Sequence, residues 1–276
     1  MPIITISRGS YSRGKAVAEK LAAKLGYELV SRDVLLESSN EFNIPEIKLV
    51  RALHDAPSIL ERFTHGKERY ISYIYSALLQ HARKDNIVYH GLAGHFFLSG
   101  ISHVCKVRII ADIQDRVQEE MRRENISAEK ALYILKKDDE ERRKWALQMY
   151  GMDTTDSKLY DMVLNIHALT VDDAVEILSG VAQKPAFQAT PASRQQVEDL
   201  ALAAKIKALL SKFDHKIQIR SEEGEIFVDH IEHIPQSDWP KIKTLAGQVE
   251  GVKTVHFNLN VPREQHDHIN PFHNIG

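Results

Sequence analysis

The segment Gly9-Ser-Tyr-Ser-Arg-Gly14-Lys15 has the spacing G-x-x-x-x-G-K, which suits the capture of phosphate. A loop that enters a helix N-terminus offers unpaired backbone N–H groups, and the helix dipole favours an anion there. Lys15 adds a point charge. Ala16 stands where the full pattern places a Ser or Thr whose hydroxyl holds Mg²⁺. Ser10 and Ser12 offer hydroxyls nearby, and a metal can also be held through water and a carboxylate. A glycine-bearing strand-to-helix turn without a ligand would carry the same residues.

A second set is basic. Arg116, Arg122 and Arg123 fall on one expected helix, and Asp139, Arg142, Arg143 and Trp145 fall on the next. Converging arginines suit a lid over a transferring phosphoryl group, where catalysis is mostly positioning and charge neutralisation. A solvated, salt-bridged helix pair would read the same way. A third set follows two short apolar runs: Arg32 and Asp33 after one, His90, Gly91 and His95 after the other. Carboxyl ends of parallel strands are where ligands sit in open α/β sheets. Asp33 could orient substrate or meet metal-bound water, and the histidines could meet phosphate or base. A structural turn role is open for each.

The elements that must position these residues alternate. Ile3 to Ser7 reads as a buried strand, followed by a helix from Gly14 to Leu25 that Gly26 ends. Strands follow at 27–30, 86–91, 106–111 and 161–165. Helices are expected within 34–84, over 115–125, from Ser127 to about 150, and from a Thr170–Asp173 capping box to about 178. This order implies a mainly parallel sheet covered on both faces. Residues 183–193 hold two prolines and no periodicity, and read as a linker. Beyond it a helix over 196–212, a hairpin, a helix over 239–249 and a last strand over 252–261 give the order αββαβ. The final residues, with His266, His268 and His273, read as a flexible tail rather than a built metal site.

Composition sets bounds. With 276 residues, 36 Lys and Arg against 38 Asp and Glu, and a net charge of −2, the chain is not a basic nucleic-acid clamp. Its one cysteine, Cys105, excludes an internal disulfide framework and reads as a buried strand thiol. No apolar run approaches the length of a membrane span and no leader pattern opens the chain, so a soluble cytoplasmic protein is expected.

The stretches ITISRGSYSRGKAVAEKLAAKLGYELVSRDVL, VYHGLAGH, VRIIADIQDRVQEEMRRENIS, DDEERRKW and YDMVLNIHALTVDDAVEIL resemble the cytidylate kinase-like family of P-loop nucleoside monophosphate kinases. The resemblance implies an α/β fold: a P-loop kinase-type parallel sheet with helices on both faces. It implies a phosphotransferase that moves the ATP γ-phosphoryl to a CMP-type nucleotide, with ATP and Mg²⁺ as cofactors and a small-molecule nucleotide as substrate. Catalytic roles fall on Lys15, Asp33 and Arg142. Nucleoside triphosphate binding falls on Ser10, Ser12, Arg13, Gly14, Lys15, Arg116 and Arg123, and acceptor binding on Arg32, Asp33, His90 and Gly91. No protein ligand set for metal is assigned. Tyr11 and Arg13 stand where relatives have glycine, and Glu119 where they often have arginine.

The last part, with KIQIRSEEGEIFVDHIEHI and IKTLAGQVEGVKTVHFNLNV, resembles a BON domain, a small α+β (αββαβ) unit linked to membrane or ligand association. The expected division is a kinase-like domain over 1–182, a linker over 183–193, a BON-like domain over 194–263 and a tail over 264–276. Self-association or envelope contact would run through the BON-like part. The competing reading is a nucleotide-binding sensor with little turnover that signals through that part.

Overall fold

The structure is a computed structural model, described here for residues 2–9, 12–31, 33–35, 67–91, 93–214 and 216–258. Ser10 and Arg32, the region 36–66 and the histidine-bearing tail lie outside the described residues.

Five parallel strands form the main sheet: β1 (Ile3–Arg8), β2 (Glu28–Ser31), β3 (Ile87–His90), β4 (Val104–Ala111) and β5 (Met162–Ile166), in the spatial order β2-β3-β1-β4-β5. β1 is the central strand. It pairs Ile4 with Val88 on one side and with Cys105 on the other. Its near-continuous apolar run reflects burial on both faces.

Alternate residues feed two cores. Ile4 and Ile6 pack with Val17 and Leu21 of helix α1 (Gly14–Leu25) and with Leu178 of a later helix, α6 (Val171–Ala182). Ile3 and Tyr89 face the opposite layer. That layer holds α2 (Lys67–Ala82), the short α3 (Gly94–Phe97) and the end of the long α5 (Ala128–Tyr150). Cys105 is buried in the sheet, and burial pushes its thiol up to about 12, as an inert strand thiol requires.

Local chemistry explains the boundaries. Gly26 ends α1 in the left-handed region (φ 66°), and its N–H reaches the carbonyls of Ala22 and Ala23. The helix α4 (Ile113–Glu124) opens two residues earlier than its charge pattern suggested, because Asp112 caps it through the Gln114 N–H. Ser127 caps α5, and the Thr170–Asp173 box forms in full. α4 and α5 make an arm with a small core of its own, Val117, Ala131 and Leu135.

The stretch expected as linker holds a 3₁₀ turn, Pro185–Phe187, and the start of α7 (Pro191–Leu210). Thr190 caps α7 reciprocally with Ser193, and Pro191 sits in its first turn, so this helix begins five residues before the sequence pattern placed it. Periodicity cannot see a first turn made of Pro, Ala and Ser. α7 spans two cores. Val197, Ala201 and Ala204 pack in the α2 layer, while Ile206 and Leu210 pack under the second sheet. That sheet has the order β6-β7-β8, from β6 (Gln218–Glu222), β7 (Glu225–Asp229) and β8 (Thr254–Phe257), with helix α8 (Trp239–Gly247) completing αββαβ. No helix among the described residues is long and apolar enough to cross a membrane.

Candidate active site

A cleft of about 560 Å³ opens at the carboxyl ends of β1, β3 and β4, where the strand order reverses direction. Its wall carries seven cationic side chains, Arg8, Lys15, Arg108, Arg116, Lys136, Arg142 and Arg143, against the carboxylates of Glu19, Asp33, Asp139 and Glu140. The near-neutral chain therefore concentrates positive charge where an anion would bind.

The loop between β1 and α1 sits at one end. Arg13 adopts a left-handed conformation (φ 62°) as the residue before α1 and makes no side-chain cap, so no side chain of its own occupies the helix N-terminus. The Ser12 hydroxyl is buried and lies 3.0 Å from the carbonyls of both Gly9 and Ile109. It ties the loop to β4. Among the described residues Lys15 pairs with Glu19, at 3.7 Å on an exposed surface, an interaction that costs little to exchange for phosphate.

Gly14 is required by contact. A Cβ there would stand 2.8 Å from the Arg8 Cβ and 3.4 Å from the Ile109 Cβ. Gly14→Ala is expected to lose about 1–3 kcal/mol of stability by urea denaturation, despite alanine's better helix propensity. An unchanged midpoint would show that the loop accommodates the methyl group.

The arm supplies the facing wall. Arg116 is buried beside Gly9 and donates to Asp139 at 2.7 Å. Arg143 is committed to Asp153 at 2.7 Å, and the Thr155 N–H holds that carboxylate down at about 2. Arg142 also lines the cleft, and its buried Nε has no hydrogen-bond partner among the described residues. Arg123 does not line the cleft; it pairs with Glu120 and Glu124. Arg13 is likewise outside the lining.

Asp33, His90 and Gly91 meet at the carboxyl ends of β2 and β3 as the pattern suggested. Three further cationic residues line the cleft beyond those the sequence pattern singled out: Arg8, Arg108 and Lys136. An arginine inside an apolar strand is costly unless something anionic or polar receives it, so VRIIA itself carried the clue for Arg108. Arg108 donates to the Tyr160 hydroxyl at 3.2 Å and lies 5.6 Å from that ring's centre.

Burial, and then the charge of Arg8, hold the His90 imidazole down at about 4; burial, and then Arg108, hold His95 down at about 3. Both rings are neutral at pH 7. Between the ordinary value near 6.5 and these depressed ones, the unfolded chain binds protons that the folded chain refuses, so stability falls as pH drops through that window. His95 alone accounts for about 2 kcal/mol between pH 7.5 and pH 5 by this linkage. His95→Phe is expected to flatten the acid limb of urea-midpoint against pH by that amount; parallel curves for the two proteins would refute it.

Among the described residues no group of three or more His, Cys, Asp or Glu could cage a metal ion. Mg²⁺ needs less, because one or two carboxylates with substrate phosphates and waters suffice. Of the four lining carboxylates, Glu19, Asp139 and Glu140 already face cations, whereas Asp33 has no ion-pair partner among the described residues. Asp33 therefore fits that role.

An α/β protein with a cation-lined cleft at the carboxyl ends of its parallel strands and an arginine-bearing arm beside it is the class that this geometry defines. The sequence profile of the Cytidylate kinase-like family matches residues 3–168, from β1 through β5, and the chain belongs to that family. It is similar to the cytidylate kinase of Pyrobaculum aerophilum, 25% identical over 178 residues, covering 64% of this chain and 90% of that one. It is similar to that of Ignicoccus hospitalis, 26% identical over 179 residues, covering 64% and 97%. An uncharacterized protein from Eubacterium ventriosum shares the fold, with a TM-score of 0.51 and 22% identity over 67% of this chain and 99% of that one.

Proposed function

We propose that the protein is a nucleoside monophosphate kinase that transfers the ATP γ-phosphoryl group to a CMP-type nucleotide. The observation that carries this reading is the meeting of the Gly14–Lys15 helix start with Arg108, Arg116 and Arg142 in one cleft, in a chain of the Cytidylate kinase-like family.

In the proposed reaction the ATP phosphates lie along the loop and the α1 N-terminus, with Ser12, Gly14 and Lys15 forming the cradle. Asp33 would hold Mg²⁺ through water, and the ion would supply charge neutralisation on the phosphates. An oxygen of the acceptor phosphate forms the new bond to the γ-phosphorus. The bond from that phosphorus to the bridging oxygen breaks with its electrons passing to ADP. The acceptor oxygen is already ionised, so no general base is needed. Lys15 and Arg142 neutralise charge on the moving group, and His90 and Gly91 border the acceptor.

A coupled assay of ADP release, with ATP against a panel of monophosphates, tests this directly. Turnover with at least one pyrimidine monophosphate is expected. Micromolar ATP binding without turnover on any acceptor would favour the sensor reading. One observation supports that second reading: α7 packs in both the kinase-side core and the second core, so a signal has a rigid element to follow. We further propose that residues 194–263 are a BON-like domain after a kinase-like domain over 1–182, in a cytoplasmic protein. Self-association through that domain predicts more copies per particle for the full chain than for residues 1–183, and a monomer for both would count against it.

A further inference from the structure

Tyr160 sits behind the wall of the cleft rather than on it. It is 8% exposed, and its hydroxyl reaches four residues that do line the cleft. The Thr154 carbonyl lies 2.9 Å away, an Arg108 guanidinium nitrogen 3.2 Å, the Ser7 hydroxyl 3.3 Å and His95 Nε2 3.4 Å. These come from the segment after α5, from β4, from β1 and from α3. A guanidinium can only donate, so the phenol oxygen accepts from Arg108 whichever neighbour takes its own proton. The guanidinium also lies 5.6 Å from the centre of the tyrosine ring. Ring and hydroxyl together restrain a long side chain that otherwise has many rotamers.

This anchor differs in kind from those of the neighbouring arginines. Asp139 holds Arg116 and Asp153 holds Arg143, and each carboxylate neutralises the charge that it orients. Among the described residues Arg108 makes no ion pair; a hydroxyl and a ring hold it instead. Such a partner orients without neutralising, so the full positive charge stays available to an anion. The alternation of β4 decides where that charge points. Cys105, Val107 and Ile109 pack in the α1 core, so Arg108 faces the opposite layer, away from the α1 N-terminus and on the side that holds Phe96.

We propose that Tyr160 is a positioning residue, whose hydroxyl and ring hold the uncompensated Arg108 guanidinium toward the phosphate of the acceptor. The proposal rests on the monophosphate-kinase reading for the identity of the ligand, and adds the residue that aims one of its cations. Tyr160 does not line the cleft, so its effect on the acceptor passes through Arg108. Its bond to the Thr154 carbonyl is a separate, structural contribution that does not involve Arg108. The two contributions therefore separate when Arg108 is removed.

The test measures the affinity of the full chain for CMP, UMP, AMP, GMP and ATP by calorimetry, and KM and kcat in the coupled assay. The variants are Tyr160→Phe, Arg108→Ala, the two together, and Arg108→Lys, each with its urea midpoint. Arg108→Ala is expected to weaken the best-bound monophosphate by about thirtyfold. Tyr160→Phe, which keeps the ring, is expected to weaken it by about fivefold and to raise its KM equally, with ATP affinity within about twofold. Added to Arg108→Ala, Tyr160→Phe is expected to change monophosphate affinity by less than about twofold, while lowering the urea midpoint in both backgrounds. Arg108→Lys keeps the charge but not the planar fork, and is expected to lose about fivefold or more. A full loss from Tyr160→Phe in the Arg108→Ala background overturns the proposal. So does monophosphate affinity that Tyr160→Phe or Arg108→Lys leaves intact, or an equal loss for ATP. The expected pattern of affinities without turnover would sink the kinase reading and leave this one standing. Turnover with monophosphate affinity indifferent to Tyr160→Phe would do the reverse, and no monophosphate binding at all would sink both.

Discussion

Lys15→Ala is expected to lower kcat for phosphoryl transfer by about a hundredfold or more and to weaken ATP binding, with the thermal midpoint nearly unchanged. The stability half of the prediction comes from exposure. The Lys15 side chain is 65% exposed, and among the described residues its ion pair is the surface contact with Glu19, the kind that contributes little to folding. The catalytic half comes from position. Lys15 follows Gly14 at the helix start and lines the cleft, where a fixed positive charge acts on the developing charge of the transferred group. Steady-state kinetics with ATP varied, beside a melting curve, separates the two halves. Unaltered turnover and unaltered ATP affinity would mean that phosphate binds elsewhere.

Arg142→Ala is expected to cost about a thousandfold in kcat, the scale reported for an arginine that stabilises a transferring phosphoryl group. The argument is one of elimination among the arm's arginines. Arg116 is matched by Asp139 and Arg143 by Asp153, whereas Arg142 lines the cleft and its buried Nε has no partner among the described residues. The loss should fall mainly on kcat, since the group is engaged most strongly in the transition state. Arg123→Ala is the contrast. It removes the partner of Glu120, a carboxylate that burial already pushes up, so it should lower stability and leave kcat within about twofold. Equal losses of kcat in the two variants would show that the arm acts as a diffuse field rather than through one residue.

The parallel sheet, its helices and the capping boxes were legible because they are local. Strands buried on both faces show as apolar runs, and helix entries show as Ser, Thr or Asp before a periodic stretch. Helix starts without that periodicity were missed: Asp112 and Thr190 act as caps ahead of their patterns. The site was legible in part for a similar reason. Lys15 and the strand-end residues Asp33, His90 and Gly91 carry their meaning in short spacings, and the cleft gathers these four.

Sequence alone determined the strand-loop-helix with its G-x-x-x-x-G-K spacing, the alternation of strands and helices, the buried state of Cys105 and the presence of an arginine-rich arm. Each follows from neighbours within a few residues. Only the tertiary structure decided which arginines remain available to an anion, because pairing depends on carboxylates 10 to 23 residues away, as in Arg143–Asp153 and Arg116–Asp139. Only it decided that Arg108, Tyr160, Thr154 and His95 form one hydrogen-bonded set, since these residues come from β4, α3 and the segment after α5. And only it decided that α7 belongs to two cores, because a helix's partners are chosen by the faces that other elements leave uncovered.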